Sequence, residues 1–540
     1  MKANSDKSKQ SNKATRRVLA GVLCGASVLS LVLSLVMPPI SQAIANDAQT
    51  VSAEEAVADE NALGEGAGAD ENVLGGEAGA DNSTGKDAEN QNSDDAEGGE
   101  GEDAAAADPA ADGAEAKGAV QPSDDTNNDE NAIAPAGVSA EDYTEVKGDV
   151  ANAFVDGGKY RLSGKSWSDS QITITKNTTI NLAGHMLCHG PGSVGSFIVV
   201  QNGATLTIED SAKVSDVTSS VIKNPGEPAT MAWTGDNNGT PQSLTYYETT
   251  STPNEDNLGT TETTTMHVVS GFGAIVAASD NGSVQQVISV ADGGTLNLNG
   301  GMITTPRDLT NNGHIIFAEG KSNETHVNIN GGFITGANLN QQRGGWGGGL
   351  CVAGAKVTVN MTGGVIAANK AASGGGIFAD SGVTLNLSGG VISGNATYAN
   401  VINHGGDAEA GGYGGGVYTK GADVTISDSA NITNNRADAR ITDDNLYNYG
   451  LLGGGGIACT NDGTLTMTGG SVTANYSHEA GGGIYAGFYG QRFTFAMSGG
   501  FIAGNMSDNA EGGGLRISGG TTGVIEAPNT SKRIYITNNE

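Results

Sequence analysis

The sequence predicts an all-β fold, a right-handed parallel β-helix, for residues 143–540. Three observations predict this fold. Gly accounts for 85 of the 540 residues, one short phrase of sequence recurs along the second half of the chain, and an Asn follows most copies at a fixed offset. Repeats of this kind bury their apolar faces only by stacking on one another. Aromatic residues make up only 5% of the chain, so the predicted core consists mainly of aliphatic side chains.

The repeated sequence motif consists of a strand in which apolar and polar residues alternate, a Gly-Gly bend and a second short strand, as in residues 383–395. The first residues of the Gly-Gly bends or their equivalents are 26 to 41 residues apart: Gly300, Gly331, Gly363, Gly389, Asp428, Gly469 and Gly499. A Gly-Gly-Gly-aliphatic word precedes the later copies and begins at Gly347, Gly374, Gly414, Gly454, Gly481 and Gly512. Each repeat is therefore predicted to form one coil with three short strands and three bends.

The Asn residues lie six positions after the bend marker, and they are Asn369, Asn395, Asn434, Asn475 and Asn505. Asn tolerates the left-handed backbone conformation, and identical Asn side chains in stacked strands can form a hydrogen-bonded ladder. We predict that these five residues form such a structural ladder.

Apolar and polar residues alternate in the strand before each bend, which indicates a strand with one buried face. In residues 383–387, Val383, Leu385 and Leu387 are expected to point inward. Thr384 and Asn386 are expected to face solvent, and the other copies follow the same order.

The N-terminal quarter of the chain has a different composition. Residues 1–45 combine a basic start, an apolar run and an Ala43-Ile44-Ala45 cleavage pattern, which predicts a secretory signal peptide; an uncleaved membrane anchor is the alternative. Residues 46–142 are predicted to form a disordered acidic linker rich in Ala, Gly, Asp and Glu. Between residues 47 and 130, 25 acidic residues face two Lys residues, so this stretch carries 23 of the 33 net negative charges.

Three cysteines follow the predicted signal peptide, and they are scattered singly along the chain: Cys188, Cys351 and Cys459. This spacing predicts neither a disulfide framework nor a metal knuckle. They are expected to be small buried apolar residues. His185 and His189 are the closest histidine pair, and they are expected in a surface loop rather than at a metal.

The Gly-Gly-Gly-aliphatic and aliphatic-x-x-Asn words resemble the repeats of chlamydial polymorphic outer membrane proteins, within the broader class of pectin-lyase-like β-helices. The resemblance covers residues 331–539 well and residues 143–301 loosely. It implies an adhesin-like passenger domain and no catalytic residues. It also implies a short capping helix at residues 149–154 before a first strand at residues 159–162. No C-terminal barrel and no Leu-Pro-x-Thr-Gly signal follow in the sequence, so we expect the repeats to continue beyond a truncated C-terminus.

Charged and aromatic residues concentrate in two insertions, residues 396–413 and 436–453, which should leave neighbouring coils on one flank. The candidate binding residues are Tyr398, His404, Asp407, Arg436, Arg440, Asp443, Asp444, Tyr447 and Tyr449. Residues 218–267, with Trp233, Tyr246 and Tyr247, are expected to form a third insertion.

These patterns predict a secreted or cell-surface bacterial binding scaffold that attaches to a host or matrix glycan or protein. The alternative is a pectate-lyase-like enzyme acting on polysaccharide through Asp407, Asp443 and Asp444, because such enzymes use clustered carboxylates beside a cation. No cofactor or metal is expected. Calcium binding is possible, but no motif in the sequence indicates it. The formal charge of −33 argues against nucleic acid as a partner. Contact with a membrane is expected only during secretion or through an anchor that no sequence motif identifies.

Overall fold

The computed structural model describes residues 142–190, 195–234, 240–277, 285–306, 313–339, 345–398, 401–402, 411–441, 452–487, 491–508, 511–529 and 532–540. The predicted signal peptide and nearly all of the acidic linker lie outside the described residues. Within the described part no segment forms an α-helix, and no helix there is long and apolar enough to cross a membrane.

The described residues form 41 strands, of which the first seven precede a large insertion. They are β1 (Thr144–Asp149), β2 (Gly158–Ser168), β3 (Ile172–Ile174), β4 (Thr178–Asn181), β5 (Met186–His189), β6 (Ser196–Val200) and β7 (Thr205–Glu209). The insertion contains β8 (Ser215–Val221), β9 (Thr230–Thr234), β10 (Thr240–Pro253) and β11 (Thr260–Ser270).

The remaining strands follow the coils to the end of the chain. They are β12 (Ala274–Val276), β13 (Gln286–Val290), β14 (Thr295–Leu298), β15 (Met302–Thr304), β16 (His314–Glu319), β17 (Thr325–Ile329), β18 (Phe333–Thr335), β19 (Leu350–Ala353), β20 (Val357–Ala367), β21 (Lys370–Ala371), β22 (Ile377–Ala379), β23 (Thr384–Ser393), β24 (Ala396–Thr397), β25 (Val401–Ile402), β26 (Val417–Lys420), β27 (Asp423–Ile426), β28 (Asn431–Thr433), β29 (Arg436–Ala437), β30 (Arg440–Ile441), β31 (Ile457–Thr460), β32 (Gly463–Met467), β33 (Ser471–Thr473), β34 (Tyr476–Ser477), β35 (Ile484–Ala486), β36 (Phe493–Met497), β37 (Gly500–Ala503), β38 (Met506–Ser507), β39 (Leu515–Ile517), β40 (Thr522–Ile525) and β41 (Ile534–Thr537).

Apart from the insertion, these strands pair in parallel with their counterparts in the neighbouring coils, so the domain is a parallel β-helix as predicted. Sheet A runs from β3 through β39, and its strands from β19 onward follow the Gly-Gly-Gly motifs. A single 20-stranded sheet has two parts, which we call sheet B and sheet C. Sheet B contains the alternating strands, from β4 through β40, and sheet C contains the short strands after the bend, from β5 through β41; β2, β20 and β23 run through both. A fourth sheet, sheet D, stacks β21, β24, β29, β34 and β38. It was not predicted, because its strands are only two residues long.

The interior of the helix is a continuous apolar core. The inward residues predicted for sheet B are buried, including Val383, Leu385 and Leu387 at 0–1% exposure. The outward residues form stacked polar columns, in which the Asn386 amide donates to Asn360 at 3.0 Å. Period-two alternation therefore identified both faces of this sheet correctly.

A buried Asn ladder runs along the corner between sheets C and D, but one predicted member is wrong. The hydrogen bonds join Asn369, Asn395, Asn435, Asn475, Asn505 and Asn539, each side-chain amide donating to the next carbonyl at 3.0–3.1 Å. Asn435, not Asn434, holds the third position. The reason is the corner between Ile426 and Asn431, which has one residue more than its counterpart between Leu387 and Val391.

The left-handed conformation belongs to the residue before each ladder Asn, and not to the ladder Asn itself. This preceding residue is Ala368, Gly394, Asn434, Ala474, Gly504 or Asn538, with φ between 51° and 63°. Asn434 therefore supplies the left-handed turn while Asn435 supplies the ladder bonds. Two functions that the sequence analysis gave to one residue are divided between neighbours.

The N-terminal end of the helix differs from the expectation of a capping helix. Residues 151–156 form consecutive turns, and the following strand, β2, begins at Gly158. Six residues before two glycines are too few to stabilise a helix. Phe154 nevertheless closes this end of the core, because it is 1% exposed and packs edge-on against Tyr160, with ring centroids 5.0 Å apart.

Strands β8–β11 form a four-stranded antiparallel sheet in the order β8-β11-β10-β9, which we call the docked sheet. Its outer limits, 215–270, extend beyond the predicted insertion at residues 218–267. It leaves the helix after β7 and returns at β12. Asp210 fixes the exit point by accepting hydrogen bonds from the backbone N–H groups of Gly184 and Gly273.

The docked sheet packs on the outer face of sheet C, and its strand β10 follows the helix across several coils. The backbone of Tyr247 accepts a hydrogen bond from Ser393, and that of Thr249 bonds to both Thr433 and Thr473. These three hydroxyl residues occupy one register position in successive coils. The small hydroxyl residues at the end of each sheet C strand therefore form the surface that holds the docked sheet.

An ionisable group lies in the contact between the docked sheet and the helix. His267 stacks on Tyr246 at 4.6 Å, and its Nδ1 lies 2.8 Å from Asp216. Its Nε2 is 3.5 Å from Glu248, an ion-pair distance, and Glu248 accepts a hydrogen bond from Asn431 of the helix. The interaction with Glu248 is the main cause that raises the pKa of His267, and the interaction with His267 is the main cause that lowers the pKa of Glu248.

We expect the docked sheet to be most strongly attached between pH 4.5 and 6.5, the ordinary pKa values of Glu and His. The raised pKa of His267 stabilises below 6.5, and this contribution is lost as the pH rises through the folded value. The lowered pKa of Glu248 stabilises above 4.5, and this contribution is lost as the pH falls through the folded value. Amide hydrogen exchange of β10 and β11 should therefore be slowest inside this window, after correction for intrinsic rates. A Glu248→Gln variant should flatten the profile, and an unchanged profile in that variant would contradict the assignment.

Candidate functional site

A groove of about 670 Å³ lies between the docked sheet and the ladder corner of the helix. We call it the flank groove. Thr230, Met231 and Trp233 of β9 line one wall. Asn338, Lys370, Ala396, Arg436 and Asp438 line the other wall, where the two charged insertions leave the helix.

The helix wall of the groove is a column built by the stacking of coils. Asn338 bridges to Lys370, which pairs with Ala396, which in turn pairs with Arg436. Each of the last three residues directly follows a ladder Asn in the sequence. The buried ladder therefore fixes the spacing of these side chains, about 4.8 Å per coil.

Aromatic rings hold the cations of this column. The Lys370 ammonium lies 4.8 Å from the ring centroid of Tyr398, whose hydroxyl donates to Asn338 at 2.9 Å. The Arg436 guanidinium lies 4.1 Å from the ring centroid of Tyr476 and contacts the carboxylate of Asp438. Burial and a hydrogen bond to Asp508 raise the pKa of Tyr476 to about 12, so its ring stays neutral at physiological pH.

Among the described residues, Lys370 contacts no carboxylate, whereas Arg436 is paired with one. Counting Lys370, Arg436 and Asp438, the helix wall has a net positive charge, although the whole chain carries −33. The wall is therefore locally opposite in sign to the chain as a whole, which favours the approach of anionic groups.

The structure brings some of the predicted binding residues together. Arg436 lines the helix wall, and Tyr398 packs against Lys370 of the same wall. Arg440 is exposed in β30. Strand β30 pairs in parallel with β25, so the first residues of the two insertions run side by side, as expected from stacked coils. His404, Asp407, Asp443, Asp444, Tyr447 and Tyr449 lie outside the described residues.

The roles of Lys370, Asn338 and Met231 were not predicted from the sequence, and Trp233 was predicted only as part of an insertion. A signal for Lys370 was present, because it follows ladder residue Asn369 as Arg436 follows Asn435. The one-residue error in the ladder hid this match. No local signal indicated that β9 would lie opposite these residues, since the two walls are far apart in the chain.

The cysteines and histidines contribute no site in the described part of the chain. Cys351 and Cys459 are buried, Cys188 is half-buried, and all three thiols are free. Burial raises the pKa of the Cys459 thiol to about 12, so it is unreactive as a nucleophile. His189 is buried against Phe197 rather than in a surface loop. In the ranges that the structure describes, no group of three His, Cys, Asp or Glu residues could hold a metal ion.

Comparison of the chain with protein-family models, with curated proteins and with solved structures finds no match in any of the three. The functional interpretation therefore depends on the groove and on the sequence patterns that surround it.

Proposed function

We propose that this chain is a secreted or cell-surface bacterial β-helix protein that acts as an adhesin-like binding scaffold. The observation that carries the proposal is the flank groove, which is lined by Trp233, Lys370 and Arg436, while Tyr398 packs against Lys370. Aromatic and cationic side chains on a rigid support are typical of recognition surfaces. The outer face of sheet B, by contrast, presents mainly Thr and Asn in stacked columns.

The β-helix suits a binding role because the buried hydrogen bonds of the Asn ladder hold the groove residues in place. Asn369 and Asn435 fix the backbone positions from which Lys370 and Arg436 project. A site held on stacked strands keeps its geometry without a ligand, which lowers the entropy cost of binding.

The proposal of secretion comes from the leader pattern in residues 1–45 and from the acidic residues that follow it. A charged, extended linker would hold the helix away from a like-charged cell surface. The resemblance to polymorphic outer membrane proteins and to pectin-lyase-like β-helices supports the same proposal. Host or matrix glycans and proteins are the proposed partners.

We expect removal of the two insertions to abolish attachment while the β-helix stays folded. Ala396, Thr397, Arg436 and Ala437 belong to sheet D, so the deletions should be confined to residues 403–410 and 442–450, each replaced by a short Gly-Ser link. Loops that leave a solenoid flank contribute little to its core. Attachment to immobilised matrix proteins and glycans should fall at least about tenfold, which corresponds to a loss of 1.4 kcal/mol, and the thermal midpoint should change little.

The same preparations test the pectate-lyase-like alternative. The proteins are incubated with polygalacturonate and related polymers, with and without calcium. Release of unsaturated or reducing sugar that disappears in Asp443→Asn or Asp444→Asn variants would replace the binding proposal with an enzymatic one. Full attachment by the double deletion would show that residues 403–410 and 442–450 are not needed for binding, because the deletion leaves Lys370 and Arg436 of the groove in place.

A further inference from the structure

We infer that the flank groove binds an extended acidic peptide, which adds as a fifth strand to the free edge of β9. The inference rests on the proposed binding function and names the class of partner that the groove accepts. It combines three independent features: an unpaired strand edge, a groove of matching length, and a cationic wall opposite the edge.

The first feature is the strand edge itself. β9 is the last strand of the docked sheet and, within the described residues, pairs only with β10. Its other side faces the groove, where Ala229, just before the strand, donates a backbone hydrogen bond to Gly394 at 3.2 Å. Unpaired edges are normally protected by Lys, Pro or a covering loop. The sequence of β9, Thr-Met-Ala-Trp-Thr, contains neither a charge nor a Pro.

The second feature is the direction and length of the groove. β10 crosses successive coils between Tyr247 and Thr249, so β9, which is antiparallel to it, also runs along the helix axis. The groove extends over the coils from Thr305 to Arg436, which are four coil steps, or about 19 Å at 4.8 Å per step. A strand rises about 3.3 Å per residue, so the groove holds about six residues of extended peptide, of which at most five can lie alongside β9.

The third feature is charge. Lys370 and Arg436 are two coil steps, about 10 Å, apart on the opposite wall. Side chains on one face of a strand are about 6.7 Å apart, and flexible Glu side chains at alternate positions can reach both cations. Trp233 supplies an apolar surface on the β9 wall towards the other end of the groove, where it packs in the cluster that contains Val276 and Met302. Backbone pairing would give affinity, and the two cations would select acidic sequences.

A saccharide would use the same cations and the same tryptophan, but it could not pair with the backbone of β9. Pairing with the free edge of β9 therefore distinguishes a peptide from a saccharide. The experiment tests it by removing backbone N–H donors from the peptide.

The probe is a blocked hexapeptide of alternating Glu and Val, titrated into the full-length protein at low salt. Trp233 fluorescence and calorimetry report binding, with Trp233→Phe identifying the signal among the three tryptophans. The control peptides are the same sequence with N-methylated valines and the corresponding Lys-Val peptide. The control variant for Lys370→Ala is Lys176→Ala, an exposed lysine outside the groove.

We expect the acidic peptide to bind, with Lys370→Ala weakening the affinity at least about fivefold and Lys176→Ala leaving it unchanged. N-methylation should abolish binding, and the Lys-Val peptide should not bind. Equal binding of the N-methylated peptide, absence of binding by the acidic peptide, or preference for oligogalacturonate over the peptide would overturn the inference. Attachment assays on the insertion deletions are independent of these titrations, so failure of the peptide leaves the proposed scaffold function testable by itself.

Discussion

Replacing Asn435 by Leu is expected to destabilise the β-helix by about 4 kcal/mol or more. The Asn435 amide is fully buried, and its oxygen accepts hydrogen bonds from the backbone and the side chain of Asn395 at 3.1 and 3.0 Å. Its nitrogen donates to the carbonyl oxygens of Ile392 and Asn475 at 2.8 and 3.1 Å. Leu removes all four bonds and leaves neighbouring polar groups buried without partners, each costing about 1–3 kcal/mol.

Guanidinium unfolding of the full chain, followed by circular dichroism, measures this loss. The matched control is Asn386→Leu, in which the same change is made on the outer face of sheet B. Asn386 is half-buried and donates one bond, to Asn360, which water can replace, so its cost should stay near about 1 kcal/mol. Equal effects of the two substitutions would show that the buried ladder has no special role in stability.

The coil architecture was predictable because every coil repeats the same constraints. Alternation placed Leu385 inside and Asn386 outside, and the glycine words located the bends. The ladder was predicted with a one-residue error, because a fixed offset from the bend assumes that all corners have equal length. The corner at residues 427–430 is longer by one residue, and only the pairing of Val391 with Asn431 reveals it.

The docked sheet could be predicted only as an insertion. Its strands contain the alternation and the Thr-rich composition of β-structure, but their partners on the helix are almost 150 to 280 residues away. Ser393, Thr433 and Thr537, which bond to the docked sheet, have no sequence feature that distinguishes them from ordinary outward hydroxyls. The flank groove exists only because of this packing, so its β9 wall could not be predicted, whereas Tyr398 and Arg436 could.

The second large effect is expected for the central glycine of a Gly-Gly-Gly word, and Gly415→Ala is the sharpest test. The three glycines of this word serve different purposes. Gly414 has a left-handed φ of 64°, and Gly416 lies against the Asn435 side chain. Gly415 allows close approach of two backbone segments, because an added Cβ would lie 2.4 to 2.6 Å from the N, C and O atoms of Arg436.

Backbone atoms of a stacked coil cannot move aside as a flexible side chain can, so Gly415→Ala should force sheets A and D apart. We expect a loss of about 3 kcal/mol or more, at the upper end of the range for overpacking, together with weaker binding in the groove, since Arg436 would be displaced. Gly164→Ala is the matched control, because a Cβ there meets only the Cβ of Lys147 at 3.9 Å and φ is not left-handed. Equilibrium unfolding of both variants decides the matter: a small effect at Gly415 would mean that the coils are packed more loosely than these distances require.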